Sequence, residues 1–216
     1  MYNFGHLYLS WRKGSGYPRH IVGIIKIKKS GINFSYIKHS VEEAKKDGFI
    51  AYTEFPEIDK IYTENVIDTF AQRLIKTDRG DISNFLNFWQ IPAAKADDKI
   101  YLMAHTQAWM PTDNFEILAE FNPSKKLCFV TDLAGLSITR IPSDVVSVGD
   151  VLTFKRYPLY EDKYAVEVYK GPLFLGYIKK IHNRVFDKNG SHNLSIKITA
   201  IERNGIVKRI FVKIAS

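Results

Sequence analysis

The chain has 216 residues, of which 45% are hydrophobic and 13% aromatic, and this composition excludes a disordered or low-complexity chain. It carries 31 lysine and arginine residues against 23 aspartate and glutamate residues, and the whole net charge of +8 lies in residues 151–216, which hold 13 basic and 5 acidic side chains. The single cysteine, Cys128, excludes an internal disulfide, and we find neither a signal peptide nor an apolar run of the ~20 residues that a membrane span requires. We therefore expect a cytoplasmic protein that does not enter the membrane.

The start of the chain has the pattern of a small β-sheet. Strand-like segments lie at 6–12, 20–29 and 32–37, and a stretch with Gly and Pro turn chemistry joins the first two. Gly14-Ser15-Gly16 in that stretch lacks the spacing and the Lys-Ser/Thr pair of a phosphate-binding loop, so a hairpin loop is predicted there.

Three helices are predicted after this sheet. Ser40-Val41-Glu42-Glu43 has the pattern of a capping box, which starts a short helix that ends at Gly48. Apolar residues spaced four apart predict a second helix over 64–76. Asp81 is placed to cap a third helix, which Pro92 ends. The apolar stripes of the last two helices are expected to lie in the core.

The rest of the chain is predicted to consist almost entirely of strands. A polar loop over 93–99 and a variable segment lead to Asn122-Pro123-Ser124, which marks the domain boundary. One short helix over 178–184 interrupts the strands, and Asn204-Gly205 has the chemistry of a two-residue hairpin. Strand-like segments lie at 127–131, 151–157, 164–169, 194–201 and 206–214. The predicted fold class is an α+β module over 1–122 followed by an all-β small barrel over 123–216.

The second module resembles the HIRAN domain. The matching positions are, in order, Gly149-Asp150, Lys155, Asp162, Ala165-Val166 and Leu175-Gly176-Tyr177-Ile178-Lys179, with Ala134-Gly135-Leu136 upstream. The resemblance spans about 126–216 and implies an OB-like barrel with one short helix. In a eukaryotic fork-remodelling protein such a domain grips single-stranded DNA at its 3′ end. Here Ser137-Ile138 stands where that form has a basic–aromatic pair, and of its DNA contacts only Asp162 is carried over.

The first module resembles the N-terminal subdomain of HipA-like toxin kinases. Phe70-Ala71-Gln72-Arg73-Leu74 carries the best match. Pro111-Thr112-Asp113 with Phe115-Glu116 resembles a segment of bacterial proteins that pair this module with HIRAN. No nucleotide loop and no catalytic Asp of a kinase core are found. The resemblance implies an antitoxin or regulatory subunit that binds a separately encoded HipA-like kinase.

One strand of the second module has a basic–aromatic–basic pattern. Arg209, Phe211 and Lys213 alternate, so one face of the strand is predicted to follow a phosphate backbone while it stacks a base. The alternative is an edge strand with a half-buried Phe211, whose charges prevent edge-to-edge pairing. Tyr157 beside Lys155, with Tyr169 and Lys170, is expected to extend the same surface.

Four further features of the module each have a physical interpretation. Gly176 suits a tight bend where a side chain would clash. Asp162 has two open interpretations, a bond to its own turn or a contact to a ligand. Lys179 and Lys180 are unfavourable to the helix that follows them, which is compatible with a binding role or with a solvated face. His182 and His192 are expected to face solvent or phosphate.

Catalytic and metal-binding patterns are missing from the sequence. The six histidines are scattered without a His-x-x-x-His pair, and we find no Gly-x-Ser-x-Gly elbow and no Cys/His pair. We therefore predict a non-enzymatic protein without cofactor or metal that binds DNA, single-stranded or at its ends. The alternative is the kinase-binding antitoxin or regulatory subunit. The predicted nucleic-acid contacts are Lys155, Arg156, Tyr157, Asp162, Lys179, Lys180, Arg209, Phe211 and Lys213.

Overall fold

The computed structural model describes residues 2–188 and 193–216, which divide into an N-terminal unit, Tyr2–Glu120, and a C-terminal unit, Phe121–Ser216. The boundary lies two residues before the one that the sequence predicts. Lysine and arginine balance aspartate and glutamate in the N-terminal unit, so the C-terminal unit carries the whole net charge of +8. Sheets dominate the described residues and the helices are few and short, which confirms a mixed, mainly antiparallel fold.

The N-terminal unit is built on five strands: β1 (Phe4–Trp11), β2 (His20–Lys28), β3 (Gly31–Tyr36), β4 (Ile61–Tyr62) and β5 (Phe115–Phe121). They lie side by side in the order β4-β3-β2-β1-β5, and the first four pair antiparallel in succession. The three predicted strands correspond to β1, β2 and β3. The short β4 and the strand β5 were not predicted.

The helices of this unit are α1 (Lys38–Lys46), α2 (Val66–Ala71), α3 (Ile82–Phe88) and α4 (Lys99–Thr106), with a 3₁₀ turn at Ala93–Lys95. The predicted capping box is wrong, because α1 begins two residues before Ser40 and its first turn has no side-chain cap. Glu43 instead pairs with Lys46, at 2.7 Å. Gly48 follows the end of α1 with φ +94°, a conformation that glycine adopts without strain, as predicted.

Helix α4 begins at the end of the predicted loop over 93–99 and was not predicted. Its start is fixed by Asp98, whose carboxylate accepts a hydrogen bond from the Tyr101 amide at 3.0 Å. The predicted helix over 64–76 is shorter than expected, because α2 ends at Ala71. Val66 and Phe70 on its inner face are buried, as the stripe predicts.

A buried arginine connects α2 to the segment that leads into β5. The Arg73 guanidinium forms a bidentate ion pair with Asp113 at 2.5 and 2.8 Å, and it also donates to the carbonyl oxygens of Ala108 and Phe115. Burial disfavours the Asp113 carboxylate, but the hydrogen bonds from Arg73 and from the Phe115 amide outweigh it and keep the pKa below its ordinary value. Arg73, within the segment Phe70–Leu74, therefore has a structural role here. Breaking such a pair costs about 3–5 kcal/mol of stability.

The C-terminal unit is built on six strands: β6 (Cys128–Asp132), β7 (Val151–Arg156), β8 (Val166–Lys170), β9 (Leu173–Tyr177), β10 (Ser195–Asn204) and β11 (Ile206–Ala215). Their order is β6-β11-β10-β7-β8-β9, with antiparallel pairing throughout. The predicted hairpin at Asn204-Gly205 is confirmed, but its loop is shorter than the two residues predicted, because Asn204 still lies opposite Ile206 and only Gly205, at φ +72°, separates β10 from β11. The predicted short helix is a 3₁₀ segment at His182–Asp187, and a short α5 (Leu136–Thr139) follows β6.

The two outer strands of this sheet meet at one bridge. Just after β6, Ala134 pairs with Tyr177 of β9 through two backbone hydrogen bonds of 2.8 and 2.9 Å. Gly176 has φ +151°, and a Cβ at that position would overlap the carbonyl oxygen of Ala134. The clash predicted for a side chain at Gly176 is therefore confirmed, and its cause is this close backbone approach.

In the described part of the chain, no helix has the length and apolar character needed to cross a membrane.

We expect Gly176→Ala to lower the free energy of unfolding of the C-terminal unit by about 2–4 kcal/mol, because it adds a backbone clash to an unfavourable φ. Gly171→Ala is the matched control, since Gly171 also has a positive φ, +54°, but an added Cβ there meets nothing within 4 Å. Its expected cost is about 1 kcal/mol. Urea unfolding followed by circular dichroism measures both, and equal losses would contradict the role given to the bridge.

A second prediction concerns His105, which is buried in α4 and stacks on Tyr101 with ring centres 4.1 Å apart. Burial lowers the pKa of His105 to about 4 from an ordinary value near 6.5. Between these values the unfolded chain binds more protons than the folded one, so stability falls as pH falls. The expected loss between pH 6.5 and pH 4 is about 3 kcal/mol.

His105→Phe retains an aromatic ring but cannot titrate, so its stability should depend less on pH over this interval. All three tryptophans, Trp11, Trp89 and Trp109, lie in the N-terminal unit, and their fluorescence reports its unfolding directly. Parallel pH profiles for the two proteins would contradict the assignment.

Candidate nucleic-acid interface

One face of β7, β8 and β9 carries a group of aromatic side chains, here called the aromatic face. It is the face opposite the buried Val166, Val168 and Leu175. Lys155 and Glu167 lie among the rings. The aromatic residues are Tyr157, Tyr169, Phe174 and Tyr177.

Strand register brings these residues together. Lys155, Glu167 and Tyr177 are directly opposite one another on three successive strands. Tyr169 and Phe174 form the neighbouring row, because an irregularity in the β8–β9 pairing accommodates the extra residue Leu175. Residues directly opposite in an antiparallel sheet point to the same side, so both rows share one face.

The rings are close enough to form a continuous surface. The ring centre of Phe174 lies 5.5 Å from that of Tyr169 and 5.2 Å from that of Tyr177. Tyr157 is 47% exposed, and the Lys155 ammonium lies 5.8 Å from its ring centre. The other three rings are half-buried, so they present edges and faces to solvent while their positions are fixed by packing.

Glu167 changes the electrostatics of this face. The Tyr169 hydroxyl donates to Glu167 Oε2 at 2.6 Å, and this bond raises the pKa of Tyr169. Burial, followed by the Glu167 carboxylate and Tyr157, raises the pKa of Tyr177. Both phenols therefore stay protonated and remain hydrogen-bond donors at neutral pH.

Two lysines face each other on the continuation of the same side. Lys197 of β10 is directly opposite Lys213 of β11, and Val151 of β7 is opposite Lys197, which places the pair on the same side as Lys155. Among the described residues neither lysine makes an ion pair with a carboxylate within 4 Å. Like charges directly opposite in a sheet destabilise it by about 0.2–1 kcal/mol, and a bound anion would remove that repulsion.

Two of the predicted contact residues are buried. Phe211 is 5% exposed, and Lys179 is 1% exposed and paired with Asp132. β11 lies between β6 and β10, so it is not an edge strand, and the burial of Phe211 contradicts the exposed face that the alternation predicts. Residues on both sides of β11 are covered at this point, because Ile210, Phe211 and Val212 are all buried.

Two predicted arginines make ion pairs inside the unit. Arg209 lies 3.6 Å from both Asp132 and Glu202 and covers the Phe211 ring at 4.5 Å. Arg156 pairs with Asp187 and points to the opposite side of β7 from Lys155, since neighbouring residues of a strand alternate. Both guanidinium groups are therefore paired with carboxylates of the same unit.

Asp162 is engaged within its own unit. It accepts hydrogen bonds from the Tyr164 amide at 3.1 Å and from the Asn183 side chain at 2.7 Å, which favours the structural interpretation. His182 is buried, with Nδ1 2.9 Å from Thr131 Oγ1, so the expectation that it faces solvent is wrong. His192 lies outside the described residues.

The two remaining lysines differ in their surroundings. Lys170 lies on the side of β8 opposite Tyr169 and pairs with Asp150 at 2.6 Å, so it does not extend the aromatic face. Lys180 is half-buried, just before the 3₁₀ segment. Of the predicted contacts on the common side of the sheet, Lys155, Tyr157 and Lys213 are exposed or half-buried, and the half-buried Arg209 is held by Asp132 and Glu202.

Phe174 and Tyr177 were not predicted as contacts, because the strand β9 itself was not predicted. Gly176 within it and the turn before Leu173 both weaken the sequence pattern of a strand. Alternation of Leu173, Leu175 and Tyr177 indicates a strand, but it would place Leu175 and Tyr177 on one face. Only the irregularity in the β8–β9 pairing brings Phe174 to the side of Tyr177.

Among the described residues, no group of three or more histidine, cysteine or acidic side chains is arranged to hold a metal ion. Comparison with models of protein families, with curated proteins and with solved structures gives no significant match to this chain.

Proposed function

We propose that the protein is a non-enzymatic nucleic-acid-binding protein whose C-terminal unit holds a single strand against the aromatic face. The observation that carries this proposal is the group of aromatic rings on one side of a sheet, beside Lys155, in the unit that carries the whole net charge of the chain. Aromatic rings on a sheet stack bases of any sequence, and neighbouring cations bind the backbone.

Phosphate contacts are assigned to three lysines on the same side of the sheet, Lys155, Lys197 and Lys213. Neighbouring strands of a sheet lie about 4.8 Å apart, so the path from β11 across to β9 covers four such spacings. A strand of nucleic acid on this path would meet the facing lysines first and the rings next. A nucleic acid that contacts the lysines with its phosphates and the rings with its bases must be single-stranded, because the bases of a duplex are stacked on one another.

The resemblances give two further proposals. A HIRAN-like, OB-like barrel in the C-terminal unit is compatible with the meeting of its outer strands at Ala134 and Tyr177. No contact to a DNA end is assigned on the basis of the HIRAN resemblance, because Asp162 already accepts hydrogen bonds from Tyr164 and Asn183. Binding of a HipA-like kinase by the N-terminal unit is the competing proposal, and a protein that copurifies with the chain would favour it.

We expect Tyr157→Ala to weaken binding of a labelled single-stranded oligonucleotide by about 1–3 kcal/mol, which is at least fivefold in Kd, through loss of a stacking ring. Fluorescence anisotropy at low salt measures this change. Tyr17→Ala is the matched control, because Tyr17 in the N-terminal unit is 48% exposed and its ring also lies under a lysine, Lys13, at 5.0 Å. Equal effects of the two substitutions, or no binding by the unchanged protein, would refute the proposal.

The facing lysines lead to a separate prediction on salt dependence. Each phosphate contact to a single strand contributes about −0.7 to the slope of log K against log salt concentration. Lys197→Gln and Lys213→Gln should each reduce the slope by about this amount, and the double variant by about twice as much. Lys29→Gln in the N-terminal unit serves as the control for unspecific attraction, and it should leave the slope unchanged.

A further inference from the structure

We propose that Glu167 makes the aromatic face selective for bases, so that it favours guanine and disfavours thymine and uracil. This inference rests on the proposed binding of a single strand. It concerns which base is held, where the proposed function concerns only whether a strand is held.

The position of Glu167 is the first observation. It lies at the centre of the aromatic face, directly between Lys155 on β7 and Tyr177 on β9. Although Lys155 is opposite, no ion pair within 4 Å joins the two among the described residues, and the Lys155 ammonium lies over the Tyr157 ring. The carboxylate is therefore not paired with the lysine opposite it.

The second observation is that the carboxylate is held in place. Tyr169 donates to Oε2 at 2.6 Å, which fixes the group on the same side as the rings. A carboxylate has about four acceptor positions, and this bond uses one of them. The remaining positions accept hydrogen bonds only, because an ionised carboxylate has no hydrogen to donate. Tyr169 is thus a positioning residue for Glu167.

The chemistry of the bases selects the partner. A carboxylate among stacked bases repels phosphates, so its favourable contacts are with the N–H groups at base edges, which single strands expose. Guanine presents two neighbouring donors on its pairing edge, N1–H and the N2 amino group. Cytosine and adenine present one amino group each. Thymine and uracil have a single N–H between two carbonyl oxygens, both of which repel a carboxylate.

The test compares thymidine oligonucleotides that differ at one central position, which holds guanine, cytosine, adenine or thymine. An oligothymidine strand with a single guanine cannot form a guanine quadruplex, so the four affinities can be compared directly. We expect the guanine oligonucleotide to bind about tenfold more tightly than the all-thymine one, with cytosine and adenine between them. Glu167→Gln should reduce the guanine-to-thymine ratio to about one, because the carboxamide both donates and accepts.

Two further variants separate the role of the carboxylate from changes in charge and folding. Glu161→Gln removes the same charge from an exposed loop of the same unit and should leave the tenfold ratio unchanged. Tyr169→Phe keeps the ring but removes the hydroxyl that positions Glu167, so it should lower the guanine-to-thymine ratio.

The outcomes distinguish this inference from the proposed function. Equal affinity for all four oligonucleotides would refute base selection by Glu167 and leave strand binding standing. A tenfold preference that persists in Glu167→Gln would also refute it. Binding of none of the oligonucleotides would refute the proposed function itself. Preferential binding of a trimethyllysine peptide, in which a methylated cation lies between the carboxylate and the rings, would overturn both.

Discussion

The close approach of Ala134 to β9 is the contact on which the C-terminal unit depends. It is possible only because Gly176 has no side chain, and it joins the two outer strands of a six-stranded sheet. The same approach places Gly135 beside Tyr177, where an added Cβ would lie 3.4 Å from the ring. Without the Ala134–Tyr177 bridge, β9, which carries two of the four rings of the aromatic face, would have β8 as its only paired strand among the described residues.

Charge in this unit is divided between internal ion pairs and a small free surface. Lys179, Arg209, Arg156 and Lys170 each pair with a carboxylate of the same unit. Their role is to join strands and turns, as Arg73 does in the N-terminal unit. The number of basic residues in the unit therefore overstates the number of cations available to a partner, and the ion pairs decide which ones remain.

The sequence was informative where local pattern determines structure. Hairpin chemistry at Asn204-Gly205, the first three strands and the clash at Gly176 were all predicted correctly. Prediction failed where long-range contacts decide. Alternation alone assigned Phe211 to an exposed face, but Phe211 is buried and the Arg209 guanidinium lies over its ring. The facing pair Lys197 and Lys213 and the aromatic face arise from register between strands distant in the sequence, which no single segment specifies. The start of α1 shows the same limit locally, because tertiary packing placed it two residues ahead of Ser40.

The opposed lysines of β10 and β11 have a consequence for how this chain tolerates change. Replacing either Lys197 or Lys213 by a neutral residue relieves repulsion, so selection for stability alone would remove the pair. Acetylation of either lysine would act in the same direction, stabilising the sheet while removing a cation from its surface. At this lysine pair, the stability of the sheet and its affinity for anions are therefore opposed. A single modification would increase the first and decrease the second.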